Sequence, residues 1–68
     1  MGAELEQSVR AYVAAAGRTT LRVIIDAMVA SERTNELEVV DAVLTLHDFG
    51  VLEFDGQLTP DTPVWSRR

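Results

Sequence analysis

The chain contains no cysteine and a single histidine, His47. The first absence excludes disulfides and thiolate metal sites. The second excludes a zinc site built on imidazoles. Lysine is missing too: all 6 basic residues are arginines, set against 11 carboxylates, for a formal net charge of −5. Phosphate backbones repel such a chain as a whole. No apolar run approaches the length of a membrane span, and the opening MGAELEQ lacks the basic start of a signal peptide. A cytoplasmic protein with no membrane contact is expected. Glycine-rich phosphate loops are lacking, and Ser8, His47 and the carboxylates show no triad or nucleophile-elbow spacing. A chain of 68 residues is also too small to enclose a deep pocket. Neither an enzyme, nor a cofactor, nor a small-molecule substrate is expected.

What is present is apolar side chain. Nearly half the residues, 47%, are hydrophobic. A domain this small buries only part of its surface and often leans on a partner. The excess predicts a homodimer or a surface for another protein.

The apolar residues fall into helical patterns. Leu5, Val9, Tyr12, Val13 and Ala16 recur at spacings of three and four and predict a helix over about residues 4–16, closed by Gly17. Ala11, Ala14 and Ala15 form a second, small-residue surface, read either as plain helix propensity or as a close helix contact in a dimer. Thr19 or Thr20 can cap a second helix over about 21–31, whose stripe is Leu21, Ile24, Ile25, Met28 and Val29. Val23-Ile24-Ile25 also resembles a strand, but the stripe runs on through Met28 and Val29 without a turn signal. Arg22 and Asp26, four apart, are placed to pair.

After the polar turn Ser31-Glu32-Arg33-Thr34, Asn35 and Glu38 have the spacing of an N-cap and its capping-box partner. The third helix extends over about 35–48. Its apolar arc is wide, with Leu37, Val39, Val40, Val43, Leu44 and Leu46, and its polar strip is narrow, with Glu38, Asp41, Thr45 and Asp48. Gly50 ends it in a left-handed conformation. A β-prone run from Val51 to Phe54 follows, then the turn dipeptide Asp55-Gly56. A two-residue hairpin would put Leu58 opposite Glu53, on the face away from Leu52 and Phe54. A longer loop from Asp55 to Pro63, returning at Val64-Trp65-Ser66, avoids that conflict. Trp65 is expected as a lid over the core, and His47 as a packing residue near the helix terminus.

Two helices, a short turn, a third helix and a glycine-led hairpin resemble the winged helix-turn-helix superfamily over about Leu5 to Trp65, with the wing at about 51–66. VVDAVLTLHDFGVLEFDG carries the resemblance best. The same segment is similar to small haloarchaeal winged-helix proteins in which GVLEFDG-type hairpins follow the recognition helix. The missing lysine and the richness in Ala, Val, Arg and Asp fit either a GC-rich bacterium or a halophile. The fold class expected is mostly α with a small β-hairpin.

The resemblance implies a dimeric DNA-binding transcriptional regulator, with the third helix in the major groove of double-stranded DNA and the wing against the backbone. Arg18, Arg22, Arg33, Arg67 and Arg68 would meet phosphates, and Asn35, Glu36, Glu38, Asp41 and Thr45 would face the groove. Against this stands the acidity of the third helix, since arginine, lysine, asparagine and glutamine do most base reading. The alternative is a protein-interaction module using an apolar patch or the acidic residues Glu38, Asp41 and Asp48. The acidic strip can also be a solvated face or a mimic of DNA.

Overall fold

Gly17, at φ +82°, stops the first helix, α1 (Gly2–Ala16), and turns the chain straight into a strand. In the computed structural model, which describes residues 2–67, the order continues as β1 (Arg18–Thr20), α2 (Leu21–Ser31), α3 (Glu36–Asp48), β2 (Leu52–Glu53) and β3 (Pro63–Ser66). Three helices against a small antiparallel sheet match a winged helix-turn-helix topology. The helix boundaries expected from periodicity hold to within two residues.

The caps explain where the helices start and stop. Thr20 Oγ1 accepts the Val23 N–H at 3.3 Å and opens α2. Asn35 Oδ1 accepts the Glu38 N–H at 3.0 Å and opens α3. The Glu38 carboxylate accepts the Thr34 hydroxyl at 2.8 Å, which pins the turn before the helix. At the far end, the Gly50 N–H donates to His47 O at 3.0 Å and the Val51 N–H to Leu46 O at 2.8 Å. That pair is a Schellman motif, and it needs the left-handed residue that Gly50 supplies at φ +76°.

The core is one cluster drawn from every layer. Val9 and Val13 come from α1; Leu21, Ile24 and Met28 from α2; Val39, Ala42, Val43 and Leu46 from α3; and Leu52 and Val64 from the sheet. The stripes read from the sequence were too generous at their edges. Ala16 is exposed, Val29 is half exposed, and Leu37 and Leu44 of α3 point to solvent.

The return strand comes after a long loop, the alternative that the Leu58 conflict favoured. Leu52 pairs with Ser66 and Glu53 with Trp65. The strand β1 was not expected: it pairs Arg18 with Trp65, Thr19 with Val64 and Thr20 with Pro63, making β3 the central strand. Pro63 is tolerated there because it is the first residue of its strand. Strand alternation puts Val64 and Leu52 on the core face and Trp65 on the other. Trp65 is therefore not a lid over the core. It lies half-buried on the outer face of the sheet, with the Arg18 guanidinium 4.7 Å above its ring.

Replacing Gly50 by alanine should cost about 1–2 kcal/mol, the price of a left-handed Cβ, and Asn35→Ala about 1 kcal/mol for the lost cap. Chemical denaturation checks both; a neutral Gly50→Ala would contradict the capping geometry.

Candidate functional site

In a winged helix-turn-helix the outward face of the third helix is the natural contact surface. The core side of α3 is set by Val39, Ala42, Val43 and Leu46. At 100° per residue, the opposite side carries Leu37, Asp41, Leu44 and Asp48. Leu37 is 80% exposed and Leu44 41%, and Phe49, just past the helix, is 74% exposed. Val40, half-buried, sits between the two leucines on the side toward Glu36. Asp41, Asp48 and Glu36 are exposed around them, and no lysine or arginine occurs in α3.

This arrangement is unusual for a solvated helix surface. Leu37, Val40 and Leu44 stand at i, i+3 and i+7, a second apolar stripe beside the one that builds the core. Asp48 lies in the last turn, at the negative end of the helix dipole, where a carboxylate is unfavourable. At the N-terminal end of α3 a shallow hollow is lined by Ile25 and Val29 of α2 together with Asn35 and Glu36.

The residues expected to touch DNA do not gather into one basic surface. Arg18 lies on Trp65. Arg22 reaches Asp61 of the wing at 3.5 Å and not the expected Asp26. Arg67 pairs with Glu53 at 3.2 Å. Arg33 borders a cleft shared with Glu4, Glu6, Glu32, Glu38 and Asp41. The side-chain oxygen of Asn35 is engaged in the cap, and Thr45 is half-buried. Arg68 lies outside the described residues. Of the acidic docking candidates, Asp41 and Asp48 share the outer face of α3. Glu38, held by Thr34, turns toward the cleft at α1.

The wing is drawn in toward α2. The carbonyl of Pro60 accepts the Arg22 N–H at 2.9 Å, filling a donor that the first turn of α2 leaves open. Thr62 holds this shape from inside the loop. Its hydroxyl accepts the Thr59 N–H at 2.8 Å and donates to Gln57 O at 3.0 Å, and among the described residues Thr62 is the buried polar one. The wing tip presents Asp55 and Asp61 and no cation.

His47 packs its ring on Phe54, with centroids 4.1 Å apart, and its Nδ1 lies 3.1 Å from Leu52 O, which joins α3 to β2. The Ser8 hydroxyl donates to Glu32 Oε2 at 3.2 Å and ties α1 to the turn. Among the described residues no group of three or more His, Cys, Asp or Glu is placed to hold a metal ion, and no helix is long and apolar enough to cross a membrane.

The chain matches no protein-family model, no curated protein and no solved structure in these comparisons. The residues that sequence reasoning missed are Leu37, Leu44 and Phe49. The chain carried part of the signal for the leucines: seven apolar residues on α3 span more arc than one core can cover, although their pattern does not say which of them face outward.

Thr62→Val removes the hydroxyl that shapes the wing. It should cost about 1–3 kcal/mol, since Thr59 N–H and Gln57 O lose their partner, and it should speed amide exchange at Arg22 as Pro60 moves away. Unchanged exchange at Arg22 would contradict the docking of the wing onto α2.

Proposed function

We propose that this domain is a winged-helix protein-interaction module whose contact surface is the outer face of α3. The observation that carries this reading is a pair of exposed leucines, Leu37 in the first turn and Leu44 two turns later, on the outer face of the helix that a DNA reader would place in the groove. Exposed apolar side chains grouped on one rigid element mark protein-binding surfaces. In the major groove the same face would set Glu36, Asp41 and Asp48 against phosphates with no cation between them. Neutralising phosphate charge supplies most of the affinity in DNA binding. Three of the arginines expected at DNA lie against Trp65, Asp61 and Glu53, and the two carboxylates offset their charge toward a phosphate. A wing held against α2 is also poorly disposed to reach along a duplex.

The fold itself favours the DNA-binding regulator, and a direct measurement separates the two readings. Fluorescence anisotropy of a labelled mixed-sequence duplex, titrated with the folded protein over a salt series, should show no saturable binding even at low salt. Saturable binding that falls steeply with salt, with a slope that flattens in Arg33→Ala, would overturn the protein-interaction reading in favour of a DNA contact.

A further inference from the structure

The stripe on α3 has the spacing of a coiled-coil seam. Leu37, Val40, Leu44 and His47 fall at successive a and d positions of a heptad. Numbered that way, Glu36 takes a g position, and Asp41 and Asp48 take successive e positions. Flanking positions of this kind set which partner a helix accepts and which it rejects. On α3 every exposed flank is a carboxylate.

Resting on the protein-interaction reading above, we infer that the occupant of this face is a cationic amphipathic helix: an apolar a/d seam with arginine or lysine on both flanks. Charge complementarity singles out that partner. A basic flank would meet Glu36, Asp41 and Asp48, and would relieve the unfavourable carboxylate at the C-terminal end of α3. A second copy of this chain fits worse, because a two-fold contact through α3 sets the same acids against each other. The available length is that of α3 itself, 13 residues, or about 20 Å, so the contact spans three to four turns. Leu37 and Leu44 serve as anchors one heptad apart. Val40 and the His47–Phe54 stack form the floor between and beyond them.

Three synthetic peptides test the assignment against ¹⁵N-labelled protein. One carries a leucine seam with arginine flanks, the second the same seam with glutamine flanks, and the third the arginine flanks with a serine seam. The arginine–leucine peptide should bind and shift the amides of Leu37, Val40, Asp41, Leu44 and Asp48, and the other two should bind at least about tenfold more weakly. Leu37→Ser/Leu44→Ser and Asp41→Asn/Asp48→Asn should each weaken the arginine–leucine peptide by a similar factor while the remaining amide spectrum stays folded. Equal binding by the glutamine-flanked peptide, or concentration-dependent dimerisation through α3 in sedimentation, would overturn the cationic partner and leave the protein-interaction reading in place. Equal binding by the serine-seam peptide would reduce the contact to charge alone and overturn the seam. If no peptide shifts α3 while a DNA duplex does, the protein-interaction reading itself falls.

Discussion

A helix on the surface of a small domain has an arc of about 100° to give to a core, and α3 carries apolar side chains over far more than that. The division it makes organises the rest of the molecule. Val39, Ala42, Val43 and Leu46 face inward and meet α1, α2 and the sheet. The Schellman turn at Gly50 then redirects the chain so that Leu52 enters the same core from β2. Leu37 and Leu44 are left outside, and among the described residues no element covers them. The exposed stripe is thus a consequence of how the core is built, and its acidic border gives it a chemical character.

The sheet and the wing serve the same end. The unexpected strand β1 gives β3 a partner on each side, so the central strand has no open edge. The wing loop is held by Thr62 and docked onto the N-terminus of α2. Arginines that could have formed a basic surface are instead distributed among Trp65, Asp61 and Glu53. In a domain of winged helix-turn-helix topology, three arginines have partners within the fold and α3 carries no lysine or arginine.

Much of this was legible in the residues. Periodicity located all three helices, Asn35 and one of Thr19 and Thr20 announced their caps, Gly17 and Gly50 their ends, and the Leu58 conflict favoured a longer loop over a tight hairpin. Strand β1 was hidden because three residues between two helices carry no periodic signal; its pairing depends on a partner more than 40 positions away. Trp65 was misplaced for the same reason, since the face it takes is set by the register with Arg18 and Glu53. The arginine partners were also illegible: Arg22 and Asp61 meet through the fold of the wing, whereas Arg22 and Asp26 are close only in sequence. The inward and outward leucines of α3 look alike in the chain, and only the position of α1 and the sheet decides between them.

The most direct test of this division is chemical denaturation of paired α3 variants. Leu46→Ala should cost about 2–5 kcal/mol, as for a fully packed core leucine. Leu37→Ala and Leu44→Ala combined should cost no more than about 1 kcal/mol, as for surface positions. A loss of stability in the outer pair as large as that in Leu46→Ala would mean that both faces belong to the core, and would contradict the account.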